Sequence, residues 1–264
     1  MIDSKLQKEL NNKFNPDGSQ LRTYQLRLLD LLIYFDKVCR ENGIRYWLSS
    51  GTLIGAIRHG GFIPWDDDVD VDMLRSDYLK LEKILLDLDD YDLQTHKTDF
   101  FYVRPFSKLR DKNSVIREHK DDHYKMKGLF IDVFQLEYIP SEKLCSFMAN
   151  LNMIIDSIGA KADSKFDVLF FSLCKRFFFA LRFVLRVVLF PFRGKRLRHT
   201  LGTGYGTKYR VYEELMPLSE IEFEGHSFFA PNNPDAYLKR IYGDYTQLPP
   251  MDTIRPHLSD YSLW

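Results

Sequence analysis

The sequence has few cysteines, no excess of charge of either sign, and no apolar stretch at its start. Its three cysteines among 264 residues are far apart and form no CxxC pair, so neither a disulfide framework nor a cysteine-based zinc site is predicted. Lysine plus arginine number 37, as do aspartate plus glutamate, and this balance disfavours a dedicated nucleic-acid-binding protein. The polar first ten residues predict no signal peptide, so we expect the chain in the cytoplasm.

Helical and strand patterns are interleaved along the chain, which predicts an α+β or α/β fold with a small sheet and helices around it. Predicted strands cover 44–48, 69–73, 101–109 and 129–136, with a hairpin around Glu224-Gly225. Predicted helices cover 20–42, 52–59, 77–88 (capped by Ser76) and the stretch between Asn233 and Gly243.

The densest acidic segment reads Trp65-Asp66-Asp67-Asp68-Val69-Asp70-Val71-Asp72. Side chains alternate on a strand, so Asp66, Asp68, Asp70 and Asp72 could share one face and would repel one another. A divalent cation would remove that cost, and oxygen ligands favour Mg²⁺ or Mn²⁺ over Zn²⁺. A solvated acidic loop is the alternative, but the interleaved apolar residues disfavour it.

Two further segments carry candidate chemistry. Ser49-Ser50-Gly51-Thr52 lies between a predicted strand and a predicted helix, which is the arrangement of a phosphate-binding turn, although it is weak evidence alone. Asp132 is a single carboxylate within the apolar stretch 129–134. Burying an isolated carboxylate is costly, so a metal ligand or general base explains it better than packing.

The segments Tyr46 to His59 and Gly61-Phe62-Ile63-Pro64-Trp65-Asp66-Asp67-Asp68-Val69-Asp70 together closely resemble the LicD family of the nucleotidyltransferase superfamily. That family includes bacterial phosphocholine transferases and is related to fukutin and fukutin-related protein. Later matches are 128–134, Tyr242-Gly243-Asp244-Tyr245 and Arg255-Pro256-His257, so the resemblance covers about 20–135 and 205–260. Ser50 departs from the pattern, since a glycine is commoner there.

The resemblance implies a nucleotidyltransferase-type core and an enzyme that moves a substituted phosphate, such as phosphocholine, from a CDP-activated donor to a glycan hydroxyl and releases CMP. The acceptor would be a cell-surface glycan (lipopolysaccharide, teichoic acid or capsule) or its lipid-linked precursor. The implied roles are Asp68 and Asp70 as Mg²⁺ (or Mn²⁺) ligands, Asp66 as a supporting ligand, Asp132 as a further ligand or base, and Ser50, Gly51, Thr52, Arg58 and Lys108 as phosphate-binding residues. For Arg58 and Lys108, a surface ion pair is an equally good explanation.

Two other functions stay open at this point. One is a nucleotidyltransferase that releases pyrophosphate on the same fold, and the other is a non-catalytic binding protein of a glycan pathway. We expect a single domain over 1–264 with a helical, basic, phenylalanine-rich insertion at about 141–200.

The stretch 166–199 is rich in phenylalanine and basic residues. On a helix, Lys175, Arg182, Arg186 and Arg193 form one narrow basic stripe and the remaining surface is apolar. One hypothesis is an interfacial helix at the cytoplasmic face of the membrane, with its apolar side in lipid and its basic stripe toward anionic phosphate. The alternatives are a homodimer face and internal packing; the central arginines disfavour a membrane-spanning helix.

Overall fold

The computed structural model of the protein describes residues 2–86, 91–116, 123–204, 208–250 and 254. The helices are α1 (Ser4–Phe14), α2 (Gln20–Glu41), α3 (Ser50–His59), α4 (Arg75–Leu85), α5 (Glu142–Gly159), α6 (Lys165–Leu189), α7 (Tyr212–Leu215) and α8 (Pro234–Tyr242). The strands are β1 (Trp47–Leu48), β2 (Asp70–Leu74), β3 (Tyr91–Gln94), β4 (Ser107–Asp111), β5 (Phe130–Tyr138), β6 (Arg196–His199), β7 (Arg210–Val211), β8 (Ser219–Phe223) and β9 (His226–Ala230).

The central feature is a curled mixed sheet in the order β1-β2-β5-β4-β3, with β6 paired to the end of β5 and β7 paired to β6. Strands β2 and β5 are parallel, and their neighbours in the sheet are antiparallel. A separate hairpin joins β8 and β9. Helices and strands are therefore mixed as predicted, and the fold class is α+β.

The main core lies between the sheet and helix α2. Leucines and Phe35 of α2 are fully buried in one cluster with Trp47 of β1, Val71 of β2 and Val133 of β5. The helix begins where Ser19 accepts a hydrogen bond from the Arg22 backbone N–H at 3.1 Å, which is an ordinary serine cap. This packing fixes the strands whose acidic ends form the site described below.

Several predicted elements are confirmed with small shifts of their ends, and two were wrong. The strand predicted over 101–109 begins only at Ser107, because Tyr102 and Val103 are buried by side-chain packing without joining the sheet. Helix α4 begins at Arg75 with Leu74 at its cap, so Ser76 is inside the helix and does not cap it. Strand β3 was not predicted.

Helices α5 and α6 enclose a second, smaller core. Phe171 and Phe178 of α6 are fully buried there against Met148 and Ile155 of α5 and Val103. Whether residues 141–200 are an insertion into a single domain stays a prediction.

The hypothesis that the basic stripe of helix α6 faces lipid phosphate was wrong for Lys175, Arg182 and Arg186, which point inward as the alternative of internal packing requires. Arg193, which follows the helix, is exposed. Lys175 Nζ donates to the carbonyl oxygen of Phe100 at 2.6 Å, and Arg182 Nη2 donates to Thr200 Oγ1 at 3.1 Å. Arg186 pairs with Glu137 in the same way. Carbonyl oxygens, a hydroxyl and one carboxylate therefore hold the cations inside, and the outward face is left apolar.

The exposed residues of this outward face are mostly aromatic and aliphatic. The most exposed are Phe166 at 75% and Phe183 at 65%, and Phe192, just after the helix, is 70% exposed. Among the described residues, no helix combines the length and hydropathy that a membrane crossing needs.

Candidate active site

Three of the predicted site residues lie side by side across three neighbouring strands. The parallel pairing of β2 and β5 aligns Asp70 with Asp132, and the antiparallel pairing of β4 and β5 aligns Asp132 with Lys108. Residues in register on adjacent strands point to the same face of a sheet. Lys108 Nζ lies 3.7 Å from Asp132 Oδ1; the Lys108 side chain is 5% exposed and the Asp132 side chain is 14% exposed. The sheet register therefore builds a carboxylate, carboxylate, ammonium row.

The electrostatics at Asp70 reflect the crowding of carboxylates. Burial raises the pKa of Asp70 well above its ordinary value, and the charges of Asp68, Asp132, Asp66 and Asp72 raise it further. In the absence of a cation, the site therefore disfavours ionisation of Asp70. The four-aspartate face expected from strand alternation is only partly formed, because β2 begins at Asp70 and both Asp66 and Asp68 precede it.

The predicted phosphate-binding turn lies at the N-terminus of α3, directly beside these carboxylates. A Cβ atom added to Gly51 would lie 2.7 Å from Asp66 Oδ2, so the missing side chain leaves the room that this carboxylate occupies. Thr52 Oγ1 accepts a hydrogen bond from the Asp70 backbone N–H at 2.9 Å. The turn and the acidic segment are thus one structural unit, with an anion at a helix N-terminus where the macrodipole favours it.

Ser50 has a φ of 47°, in the left-handed region that glycine adopts most easily. A glycine would adopt this conformation with less strain than a serine. Burial raises the pKa of Tyr242, a side-chain hydrogen bond with Ser50 lowers it, and the charge of Asp70 raises it. Tyr242, at the end of α8, is therefore next to the site.

Asp72, two residues after Asp70 on β2, is the centre of a buried polar network. His199 Nε2 lies 3.0 Å from Asp72 Oδ1, and the Tyr237 hydroxyl donates to Oδ2 at 2.9 Å. Arg210 Nη2 is 3.8 Å from Oδ2. Burial raises the pKa of Asp72, but these partners outweigh it and hold the pKa below its ordinary value. Asp72 is therefore a structural anion that fastens β2 to β6, β7 and α8.

The geometry of the site agrees with the comparisons with known proteins. Residues 43–153 match the family model described as LicD/FKTN/FKRP, nucleotidyltransferase domain. The lipopolysaccharide cholinephosphotransferase LicD of Haemophilus influenzae is 29% identical over 255 residues, which cover 90% of this chain and 95% of that protein. The human ribitol 5-phosphate transferase FKRP is 45% identical over 51 residues, which cover 19% of this chain and 10% of that protein.

Residues 43–153 therefore form a domain of the LicD family type. A third relative, mannosyltransferase regulator 4 of Saccharomyces cerevisiae, is 41% identical over 82 residues, 28% of this chain and 7% of that protein.

The two predicted phosphate-binding cations, Lys108 and Arg58, have different surroundings. Lys108 is in the carboxylate row and lies over the ring of Phe130. The Arg58 Nη1 group instead donates to the carbonyl oxygens of Tyr245 and Gln247 at 3.0 and 3.1 Å. Burial lowers the pKa of Arg58 and the nearby Asp66 raises it. Arg58 therefore ties the segment after α8 to α3 beside the acidic cluster. Arg255 to His257, which belong to the later segments that resemble the LicD family, lie outside the described residues.

The acidic cluster suits a divalent cation in its chemistry but is not a preformed cage. Its donors are all carboxylate oxygens, which Mg²⁺ and Mn²⁺ prefer, and their mutual repulsion raises the pKa of Asp70. Within the described residues, no three His, Cys, Asp or Glu side chains form a group that could hold a metal ion as they stand.

Sequence reasoning missed Tyr242 and the partners of Asp72. His199, Arg210 and Tyr237 are separated from Asp72 by 127 to 165 residues, and no local pattern links them. Tyr242 did carry a signal, since it opens the Tyr-Gly-Asp-Tyr segment that resembles the family.

Proposed function

We propose that this protein transfers a substituted phosphate, of the phosphocholine kind, from a CDP-activated donor to a hydroxyl of a cell-surface glycan or its lipid-linked precursor. The observation that carries the proposal is the register that aligns Asp70 with Asp132 beside the turn at Ser50 to Thr52. The lipopolysaccharide cholinephosphotransferase LicD of Haemophilus influenzae, which is similar over 90% of this chain, supports the reaction class.

In the reaction, the acceptor hydroxyl oxygen forms a bond to the phosphorus that carries the substituent. The bond from that phosphorus to the oxygen of CMP breaks, and CMP leaves. The hydroxyl proton goes to a carboxylate, for which Asp132 is the candidate because it lies in register with Asp70 and its side chain is still 14% exposed. Lys108 and the N-terminal N–H groups of α3 bind phosphate oxygens in this proposal.

The residues that would hold a divalent cation are Asp68 and Asp70, with Asp66 in support. Asp132 would be either a further ligand or the base that accepts the proton. Such an ion, when bound, supplies positive charge against the diphosphate of the donor. Asp66 lies against Gly51, where the donor phosphate is also expected. Two anions at one helix terminus repel each other, which is a further reason to expect a cation between them.

The reaction is tested with purified protein, CDP-choline or another CDP-linked donor, Mg²⁺ and a glycan acceptor. We expect CMP release and a phospho-substituted acceptor, and we expect Asp68→Ala to lower kcat at least about 100-fold because the carboxylates act together. Asp30→Ala, at an exposed carboxylate of α2, is the matched control.

Three results would contradict this proposal. Release of pyrophosphate would indicate a nucleotidyltransferase. Full glycan modification by a folded Asp68→Ala variant would remove the carboxylates from catalysis. A donor-induced thermal shift that is the same with and without Mg²⁺ would argue against the cation.

We also propose that the outward face of α6 contacts an anionic membrane surface. This face is apolar, and between Asp167 and Glu213 the sequence contains no acidic residue. Exposed basic residues lie at its ends and side, namely Lys165, Arg176, Arg193, Lys195 and Arg196. An apolar surface with basic borders complements a headgroup region of anionic lipids.

Vesicle co-sedimentation tests this contact. Wild-type protein should bind vesicles containing phosphatidylglycerol and lose most of that binding in Phe183→Glu, whereas Leu26→Glu, at an exposed leucine of α2, should bind normally. Equal binding by both variants, or a stable dimer in which α6 is protected, would overturn the membrane contact.

A further inference from the structure

A cavity lies at the opposite end of the strands that carry the acidic residues. Its volume is about 390 Å³, within the range of small-molecule sites. Seven aliphatic side chains line it, namely Leu74, Leu79, Leu136, Ile139, Leu189, Leu197 and Leu201. Leu74 and Leu136 each follow the aligned aspartates by four residues, so the cavity begins about 13 Å along β2 and β5 from the carboxylates. It is therefore a site separate from the carboxylate row.

The charged groups in the lining are unbalanced. They are three arginines, Arg75, Arg186 and Arg193, and one carboxylate, Glu137. Arg186 donates two hydrogen bonds to that carboxylate, from Nε at 2.6 Å and from Nη2 at 2.9 Å. Arg75 Nε is 3.9 Å away from it. Burial lowers the pKa of Arg75, and the charge of Arg186 lowers it further. The cavity wall thus holds more positive charge than Glu137 balances, which favours an anionic ligand.

The cavity is continuous with the outward apolar face of α6. Leu189, the last residue of the helix, and Phe190 line the cavity, and Phe190 is also 60% exposed. The guanidinium of Arg193 lies over the Phe190 ring, 4.3 Å from its centroid. A ligand that reaches this cavity therefore passes from an apolar surface into an aliphatic interior, with guanidinium groups along the way.

We propose that the cavity binds one hydrocarbon chain of an anionic membrane lipid, with the lipid phosphate at Arg75 and Arg193. The aliphatic walls fit the chain, and the excess positive charge fits the phosphate. The continuity with the α6 face gives the chain a route from the membrane surface. This inference does not depend on the transfer reaction, because binding is measured without donor or acceptor.

The test uses alkyl phosphates of eight, ten and twelve carbons, each below its micellar concentration, titrated calorimetrically into the full chain. We expect one site per chain, with affinity rising about threefold to fourfold per added methylene until the chain fills the cavity. Decanol, which has the same chain as decyl phosphate but no charge, should bind at least about tenfold more weakly.

Matched variants locate the site. Leu79→Trp places a large ring in the cavity, and Leu26→Trp is its control at an exposed leucine of α2. Arg193→Gln removes a charge from the cavity, and Arg176→Gln removes one from an exposed position of α6 outside it. We expect roughly tenfold weaker decyl phosphate binding in each cavity variant and unchanged binding in each control.

Two outcomes would overturn the proposal. Equal affinity of decyl phosphate for Leu79→Trp and Leu26→Trp, with both variants folded as judged by Tm, would place the chain elsewhere. Equal affinity for decanol and decyl phosphate would remove the role of the arginines. Neither outcome bears on CMP release, so the failure of this proposal and that of the proposed function are distinguishable.

Discussion

The Asp72 network gives a sharp prediction for Tyr237→Phe. The substitution keeps the buried ring and removes only the hydroxyl that donates to Asp72 Oδ2 at 2.9 Å. A hydrogen bond to a charged group contributes about 1.5 to 3 kcal/mol. For a chain of this size, 1 kcal/mol corresponds to roughly 2 to 4 °C in Tm. We therefore expect Tm to fall by roughly 3 to 12 °C.

The assay is thermal unfolding followed by circular dichroism, with Tyr212→Phe as control at an exposed tyrosine of α7. A double-mutant cycle sharpens it. In an Asp72→Asn background the acceptor charge is gone, so Tyr237→Phe should cost clearly less than in the wild type. A Tm loss no larger than that of the control, or the same loss in both backgrounds, would refute the reasoning that a buried carboxylate fastens α8 to the sheet.

Three further predictions concern stability. Ser50→Gly should raise Tm by about 1 to 2 °C because it relieves the left-handed φ of 47°, whereas Ser146→Gly, within helix α5, should lower Tm; a lower Tm for both would show that position 50 carries no strain. Gly55→Ala should cost about 1 to 3 kcal/mol in urea unfolding, because the new Cβ would lie 2.4 Å from the Gly61 carbonyl oxygen, and a neutral result would mean that this backbone contact yields easily. Burial raises the pKa of Glu137, but its arginine and threonine partners lower it overall. The stabilisation by Glu137 is therefore present above the unfolded-state pKa of about 4.3 and is lost as pH falls through the folded-state pKa. Glu137→Gln should flatten the acid side of a curve of Tm against pH, and an unchanged curve would contradict this.

Local patterns predicted much of the fold because the signals were themselves local. Helix α2 has an apolar stripe and a serine cap, and the β8–β9 hairpin has Glu224 and Gly225 at positive φ values of 50° and 78°. The short, half-polar strand β3 was missed because a run of four residues carries only a weak strand pattern.

The candidate site could be predicted as a set of residues but not as an arrangement. The sequence named Asp70, Asp132 and Lys108, yet their order in the sheet follows from non-local pairings that no local pattern fixes. The outward orientation predicted for the basic residues Lys175, Arg182 and Arg186 of α6 was wrong for a related reason. A helical stripe shows which residues share a face, but Glu137 and Thr200 decide that the basic face is the inner one.

The hydrogen bond between Asp72 and Tyr237 also sets a time order on synthesis. The two residues are 165 positions apart, so at about 5 to 20 residues per second Tyr237 is made roughly 8 to 33 s after Asp72. Until then the buried carboxylate lacks one of its partners, and the segment that Arg58 holds through Tyr245 and Gln247 is also missing. A growing chain therefore carries its acidic residues before the contacts around them are complete.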